Sequence, residues 1–406
     1  MESRKAASAV KNIPIKSMAT LSDFDDIRPY SNEELRPALD ELLSDRQFRR
    51  LLKGFVPWLP QSLLRSLIRI SLVGLKTTLG FQKRFMKPAI AYLLKKCSKG
   101  CVFENPECNS YDRRYTFLSN HRDIVLDSAI LDYKLVMDGA PTVCEIGIGD
   151  NLLIYPWIRS LVRLNRAFTV RRALSSREIL RSSQHMSEYI HFAINDKREN
   201  VWLAQREGRA KDSDDRTQES VLKMLALGGE GSPVERLKDL NIVPLTISYE
   251  FDPCDYLKAK EFQMKRDDPA FKKSRQDDLE NMKVGIRGYK GRIHYKCSPC
   301  INGWLDELTG LTGNEFYQEV ARRMDKEIHS NYEMYPNNYI ALDELNGDNG
   351  NSANYTDADK AQFDAYLAGQ IAKIDLPNKD EAFLRDKILN MYANPLRNYM
   401  RATETN

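Results

Sequence analysis

One histidine of this chain stands among charged residues directly after a strand-like run. Residues 115–130 read YTFLSNHRDIVLDSAI, so that His121 is followed closely by Asp123 and Asp127. Histidine side chains titrate near neutral pH, and a carboxylate on the second ring nitrogen fixes the tautomer and stabilises the protonated ring. A general base, His121, oriented by an aspartate is one chemistry that these residue types allow. We assign that role to Asp127, because it follows the expected helix start, and expect Asp123 to cap the helix.

A His-Arg-Asp triplet also occurs in protein kinases, and the rest of the sequence excludes that class. A kinase requires a glycine-rich loop and a strand lysine before the triplet, then Asp-Phe-Gly and Ala-Pro-Glu after it. None of these is present, and Ser128 stands where the metal-binding asparagine is required. The only stretch similar to a phosphate loop, Gly147–Asp150, lies after the triplet.

Four stretches follow one another at or near the ends of predicted strands: SNHRDIVLD, RAFTVRR, AQREGRAKD and IVPLTISYE. As an ordered set they resemble the four motif blocks of the glycerolipid acyltransferases, which include glycerol-3-phosphate and 1-acylglycerol-3-phosphate acyltransferases. The resemblance covers residues 115–250 and departs from the family pattern twice. His121 and Asp127 are separated by five residues instead of four, and the third block is shortened to residues 207–209.

The resemblance implies an enzyme that transfers a fatty acyl group from a thioester to a hydroxyl group by direct attack, without a protein nucleophile. His121 would be the base and Asp127 its orienting partner, as in a triad whose serine is replaced by the substrate hydroxyl. Asn120 and nearby backbone amides are candidates to polarise the thioester carbonyl. The implied co-substrate is acyl-CoA or acyl carrier protein, and we expect no cofactor and no metal.

The implied acceptor has a phosphate: a lysophospholipid such as 1-acylglycerol 3-phosphate, or glycerol 3-phosphate. Guanidinium groups bind phosphate in a planar, bidentate arrangement, and a glycine allows a tight turn with close approach. The predicted substrate-binding residues are Arg171, Arg172, Glu207, Gly208 and Arg209. Arg122 is left open between a phosphate ligand and a surface residue.

Two other functions stay open on the sequence. The departures from the family pattern allow an acceptor without phosphate, such as an N-acyl amino-acid lipid. They also allow a non-catalytic membrane-binding relative whose altered spacing has ended turnover. The remaining histidines lack supporting motifs, and we interpret them as structural: His185, His191, His294 and His329.

The basic residues are concentrated before the motif blocks. Between Arg46 and Lys99 there are thirteen Lys or Arg residues and no Asp or Glu. Two segments before the motif blocks, starting at Asn32 and Gln61, have helical periodicity. The spacing predicts one shared helical face for Arg65, Arg69, Lys76 and Lys83. A cationic face beside an apolar one favours attachment to an anionic membrane surface, although a helical bundle with a solvated basic face has the same pattern.

Composition restricts the location and partners. The mean hydropathy of −0.53 and the lack of a long uncharged apolar window argue against a spanning helix. Seven cysteines, an odd number, and a start without a signal-peptide core indicate a reducing cytosol, so we expect a peripheral protein on the cytoplasmic membrane face. Residues 97 and 101 with 297 and 300 could form a zinc site, but free thiols are the simpler interpretation. We expect no nucleic-acid partner.

From Tyr111 onward, β-rich runs alternate with helical patterns, which predicts an α/β fold with a mixed sheet flanked by helices. The candidate strands are RYTFLS, PTVCEIGI, RAFTV, NVWLA, NIVPLTISYE and RIHYK. The predicted organisation has a poorly ordered lead-in at 1–30 and a basic, amphipathic helical membrane-surface region at 31–110. An α/β acyltransferase domain at 111–308 and a helical C-terminal extension at 309–406 follow.

Overall fold

The computed structural model describes residues 19–55, 60–106, 109–172 and 175–404. The α-helices of these residues are α1 (Leu35–Ser44), α2 (Arg46–Phe55), α3 (Gln61–Ser71), α4 (Thr78–Phe81), α5 (Lys87–Cys97), α6 (Leu126–Met137), α7 (Pro156–Leu164), α8 (Ser176–Asn195), α9 (Glu219–Leu225), α10 (Pro233–Asp239), α11 (Asp255–Asp267), α12 (Arg275–Arg287), α13 (Gly313–Ser330), α14 (Pro336–Asn346), α15 (Asp357–Ala372) and α16 (Glu381–Thr403). Helices α13 to α16 form the predicted helical C-terminal region.

A seven-stranded mixed sheet confirms the predicted α/β fold. Its strands are β1 (Cys101–Glu104), β2 (Thr116–Ser119), β3 (Cys144–Gly149), β4 (Ala167–Val170), β5 (Asn200–Ala204), β6 (Ile242–Tyr249) and β7 (Ile293–Cys297). The strand order is β1-β7-β6-β2-β5-β3-β4, and every described pairing is parallel except that of β6 with β7. All six candidate strands are present. Strand β1, inside the segment predicted as helical, was missed, because four half-exposed edge residues give too short a pattern.

Helices cover both faces of the sheet, and successive side chains of β2 show it. Phe117 packs in a cluster with residues of α5 and α6, whereas Leu118 packs on the opposite face with residues of α8, α9 and α13. Strands buried on both faces read as continuous apolar runs, which is why this region was recognisable in the sequence.

The parallel strands end at one edge of the sheet, and the motif residues follow those ends. The residues after β2, β4 and β5 therefore meet there, as ligand sites of open α/β sheets do. Asn120 fixes the first of these loops: its Oδ1 accepts from the Ile247 amide at 2.8 Å and its Nδ2 donates to the Ile247 carbonyl at 2.9 Å. This fully buried amide continues the pairing of β2 with β6, so Asn120 has a structural role instead of the predicted carbonyl-polarising one.

The helices of the basic region are interrupted at positions that were not predicted. The segment from Asn32 forms two helices separated at Asp45, whose carboxylate accepts from the backbone amides of Gln47 and Phe48 at 2.8 Å each. Asn32 does not cap the first helix, because its side chain accepts from the backbone amide of Thr78 at 3.0 Å.

The second predicted helix ends early, and the prediction of one shared cationic face was wrong. Helix α3 ends at Ser71, Gly74 adopts a positive φ of 76°, and Arg84 binds the Ser71 and Val73 carbonyls at 2.8 and 2.9 Å. The turn places Lys76 outside any helix and Lys83 in a separate π-helical segment. In the described part of the chain, no helix is both long and apolar enough to cross a membrane.

The predicted lead-in is partly packed. Residues 1–18 lie outside the described residues, but Phe24 and Ile27 are buried in the core beside α8. The Asp26 carboxylate accepts hydrogen bonds from Arg171 at 2.6 Å and from His185 at 2.9 Å. These buried side chains and hydrogen bonds together hold residues 24–27 against the α/β unit.

Candidate active site

His121 and Asp127 form a hydrogen-bonded pair at the carboxyl end of β2. The distance from His121 Nδ1 to Asp127 Oδ2 is 2.8 Å, and Asp127, in the first turn of α6, is completely buried. The same Oδ2 accepts from the Arg122 and Asp123 amides at 2.6 and 3.0 Å, and Oδ1 accepts from the Tyr249 hydroxyl at 2.9 Å. A carboxylate held on Nδ1 leaves the lone pair on Nε2 of His121.

Asp123 has a different task from Asp127. Its Oδ1 accepts from the Val125 and Leu126 amides at 2.9 and 2.8 Å, so that it caps the start of α6. Burial and the neighbouring Asp127 carboxylate raise the pKa of Asp123. The five-residue spacing between His121 and Asp127 is therefore compatible with a direct contact, because the loop closes on the Asp127 carboxylate.

His121 lines a cavity of about 570 Å³ that has a mostly apolar wall. Val125, the N-cap of α6, and residues of α6 as far as Val136 line it at helical spacing, so it extends roughly 16 Å along that helix. The opposite walls come from α7, α12 and the end of β3. Its size is typical of a ligand site, and the wall suits a hydrocarbon chain.

Two arginines line the same cavity. Arg172 follows β4 and lies across Gly149, where an added Cβ would come within 2.9 Å of the guanidinium, so glycine permits this position. Arg206 follows β5, and its buried Nε has no hydrogen-bond partner among the described residues. Arg206 was not among the predicted substrate-binding residues, although it directly precedes the third block and follows a predicted strand.

The other predicted substrate-binding residues lie differently. Gly208 lines the cavity with a φ of +68°, as a tight turn requires. Glu207 has a 72 % exposed side chain, 3.8 Å from the Arg172 guanidinium. Arg171 points away and pairs with Asp26, and Arg209 contacts α12 through a 3.0 Å hydrogen bond to Asn281. The structure thus brings Arg172 and Gly208 to the cavity and leaves Arg171, Glu207 and Arg209 outside its wall.

Arg122 is neither a surface residue nor part of the cavity wall. It is buried and pairs with Asp215 at 2.7 Å, and its guanidinium lies over the Tyr332 ring. Burial opposes its charged form, but Asp215 and other carboxylates outweigh this, and the pKa of Arg122 is raised. Because Tyr332 follows α13, the C-terminal helices support the loop that contains His121.

Asp132 is an acid in the otherwise apolar cavity wall. It is 4 % exposed, and its Oδ1 accepts from the Cys144 amide at 2.8 Å. Burial raises the pKa of Asp132 to about 7. Folding therefore favours its protonated form, and the resulting stabilisation is complete below the unfolded-state pKa and is lost as pH rises through the folded-state value.

The Asp132→Asn variant is expected to show a flatter dependence of the unfolding free energy on pH between about pH 4 and pH 7. Titration of Asp132 lowers the unfolding free energy by up to about 4 kcal/mol as pH rises over that interval. Asparagine keeps the acceptor for the Cys144 amide and does not titrate. Denaturant unfolding of both proteins at several pH values measures this. Parallel profiles would show that Asp132 titrates normally in the folded protein.

The described residues include no group of three or more His, Cys, Asp or Glu side chains that could hold a metal ion. The proposed zinc ligands have other contacts: the Cys97 thiol donates to the Arg287 carbonyl at 3.2 Å, and the Cys101 thiol to the Val102 carbonyl at 3.5 Å. The described cysteines are free thiols.

Comparison with known proteins gives little support beyond this geometry. No protein-family model matches the chain, and no curated protein is significantly similar to it. One matching solved structure is the 1-acyl-sn-glycerophosphate (LPA) acyltransferase PlsC from Thermotoga maritima, with 13% identity and a TM-score of 0.35. The match covers 60% of this chain and 77% of that one. At this TM-score a common fold is not established, and the function has to be argued from the site.

Proposed function

We propose that this protein is an O-acyltransferase of the glycerolipid acyltransferase type. The observation that carries the proposal is His121, which lines an apolar cavity of about 570 Å³ and is hydrogen-bonded to the buried Asp127. An acyl chain in that cavity would bring its thioester carbonyl beside the imidazole. The donor in this proposal is acyl-CoA or acyl carrier protein.

In the proposed reaction His121 is the general base. Its Nε2 takes the proton of the acceptor hydroxyl as the oxygen attacks the thioester carbonyl carbon. The tetrahedral adduct then expels the thiolate, which takes that proton back from the imidazolium, so that ester and thiol leave. Asp127 keeps Nε2 directed at the cavity and stabilises the imidazolium, as an acid beside a catalytic imidazole does.

The proposed acceptor has a phosphate, as in 1-acylglycerol 3-phosphate or glycerol 3-phosphate. Arg172 and Arg206 both line the cavity, and guanidinium groups match phosphate oxygens in a bidentate arrangement. The unpartnered Nε of Arg206 supports this assignment, because a buried donor without an acceptor costs free energy until a ligand supplies one. These two arginines replace the set of three that the sequence suggested.

The proposal places the reaction at the cytoplasmic surface of an anionic membrane. Helix α3 exposes three large apolar side chains whose spacing puts them on one side, Leu63, Leu67 and Ile70, at 48, 48 and 66 % exposure, and Val73 in the turn after it is 69 % exposed. The surrounding segment contains basic residues and no acidic ones. Exposed apolar side chains within a basic segment are typical of proteins that bind the membrane interface.

The test is acyl transfer from acyl-CoA and, separately, from acyl carrier protein to three acceptors. The acceptors are glycerol 3-phosphate, lysophosphatidate and an N-acyl amino acid, each presented in detergent and on anionic vesicles. A phosphate-containing product supports the proposal. A product from the N-acyl amino acid alone would keep the chemistry and reject the phosphate site, and no product from any pair would favour a non-catalytic membrane-binding protein.

Arg206→Gln is expected to raise KM for the phosphate acceptor by about ten- to a hundredfold, because a charge-assisted hydrogen bond to a partly buried anion is lost. Arg171→Gln is the matched control: it removes the same charge from an arginine that contacts Asp26 outside the cavity. Initial rates over a range of acceptor concentrations measure the effect. Equal KM values for the two variants would reject Arg206 as a phosphate ligand.

A further inference from the structure

Three cations at the rim of the cavity have no role in the chemistry described so far. Lys87 at the start of α5 and Lys283 and Arg287 on α12 all line the cavity. Lys283 and Arg287 are exposed and Lys87 is half-buried, so the three side chains lie at its opening. None of them is within ion-pair distance of a carboxylate of the described residues, whereas Arg266 on α11 pairs with Asp267 and Asp380 at 2.7 and 2.8 Å.

The spacing along α12 shows that these cations belong to the cavity wall. Leu279, Met282, Lys283, Ile286 and Arg287 recur at intervals of three and four residues, so they share one helical face. The apolar members extend the hydrocarbon-like wall, and the two cations, one turn apart, lie where the wall meets solvent. Like charges at this spacing repel each other, which a bound anion would relieve.

Helix α12 is fixed tightly against the loop that contains His121. A Cβ added to Gly285 would come within 2.2 Å of the Asp123 carboxylate, so only glycine permits this approach. Beyond the helix end, the buried Lys290 ammonium donates to the Gly285 and Gly288 carbonyls at 2.5 and 2.8 Å. The backbone that bears Lys283 and Arg287 is therefore held close to the loop that contains His121.

One exposed acid lies beside the cations of the cavity: the Glu207 carboxylate is 3.8 Å from the Arg172 guanidinium, and it has no such contact with Lys87, Lys283 or Arg287. Of the residues that line the cavity, Asp132 is the acidic one, and it is buried against Cys144 within α6 and β3. Arg172 and Arg206 add two further positive charges after β4 and β5. An acceptor with one phosphate occupies at most part of a site with five cations, so a second anion fits the remaining charge.

We propose that Lys87, Lys283 and Arg287 bind the phosphate of the acyl donor, a phosphopantetheine thioester. The inference rests on the proposed function, since it places the acyl chain in the cavity and the thioester carbonyl at His121. The pantetheine arm then leaves through the opening, and its phosphate, remote from the thioester, meets the rim cations. Coenzyme A and a carrier protein share this phosphopantetheine group, and coenzyme A has additional phosphates.

The test is equilibrium binding of unacylated coenzyme A, and separately of holo and apo carrier protein, at low ionic strength. The triple variant Lys87→Gln, Lys283→Gln, Arg287→Gln is compared with a control triple, Arg113→Gln, Lys326→Gln, Lys360→Gln. The control residues are exposed and lie outside the cavity wall. We expect the rim triple to weaken binding about tenfold or more and the control triple to leave it unchanged, with the effect decreasing as salt is added.

The two donor sources are distinguished by the ligands, and the proposed function by a separate readout. If the rim triple loses binding only to coenzyme A, coenzyme A is the donor carrier. If it loses only the tighter binding of holo carrier protein relative to apo carrier protein, the carrier protein is the donor carrier. If the rim triple weakens binding but the wild type transfers no acyl group, the donor site stands and the proposed function fails. Three results would overturn the inference. The rim triple could bind coenzyme A and carrier protein as well as the wild type does, or the wild type could bind neither. The rim triple could also lose binding to vesicles and keep binding to the donor.

A kinetic experiment separates phosphate recognition from a general effect on the cavity. The rim triple is expected to lower kcat/KM for acyl-CoA by about tenfold and to leave it unchanged for the acyl thioester of N-acetylcysteamine, which has no phosphate. An equal loss with both donors would show that the substitutions act on the cavity wall or on the helix position instead.

Discussion

Replacing His121 by alanine is expected to lower kcat/KM for acyl transfer by about 10³-fold or more while the protein stays folded. The side chain lines the cavity, is 13% exposed and hydrogen-bonds to Asp127 through Nδ1. Its loss removes the only proposed acceptor for the hydroxyl proton. Asp127 keeps its other donors, Arg122, Asp123 and Tyr249, so the loop keeps its shape. Initial rates with the best donor and acceptor, together with a thermal unfolding curve, measure both parts.

His185→Ala is the matched control for this variant. His185 is also partly exposed and also bound to an aspartate, Asp26, but it lies on α8 outside the cavity wall. The control should retain full activity. Added imidazole should restore part of the rate of the His121→Ala enzyme, because it can enter the space that the ring left. Full activity of the His121→Ala enzyme without imidazole would show that His121 is not the general base, and the proposed mechanism would be rejected.

The Asp127→Asn change is expected to lower kcat by an amount on the order of 10³- to 10⁴-fold, comparable to the loss in other carboxylate–imidazole pairs. Its Oδ2 receives three N–H groups, from His121, Arg122 and Asp123, and Oδ1 receives the Tyr249 hydroxyl. If an amide NH₂ group replaces either carboxylate oxygen, its N–H groups face the N–H or O–H groups that now donate to that oxygen. The imidazole would then rotate or change tautomer, and Nε2 would no longer accept a proton.

Asp123→Asn tests which of the two aspartates supports the histidine. Asparagine keeps an oxygen to accept from Val125 and Leu126, so the helix cap persists and the rate should change little. The rates of both variants are compared with their unfolding free energies in denaturant. A larger loss of rate for Asp123→Asn than for Asp127→Asn would exchange the roles of the two carboxylates. A loss of rate in Asp127→Asn that merely followed its loss of stability would leave Asp127 a structural residue.

The sequence by itself determined the elements whose signal is local. Strands buried on both faces are apolar over their whole length, so six of the seven were recognisable, and the loops that follow them contain the polar residues of the site. The pair of His121 with Asp127, and the capping role of Asp123, also followed from local reasoning. All three residues lie within one loop and one helical turn, where spacing sets direction.

Only the tertiary structure decided which charged residues share the cavity. Arg171 and Arg172 are neighbours in sequence, yet successive residues after a strand point to opposite sides, and Asp26 and Gly149 select where each one lies. The rim cations Lys283 and Arg287 line the same cavity as His121, and Tyr249 donates to Asp127. In both cases the residues are more than a hundred positions apart in the sequence. Such contacts depend on strand order and helix packing, which residue patterns along the chain do not encode.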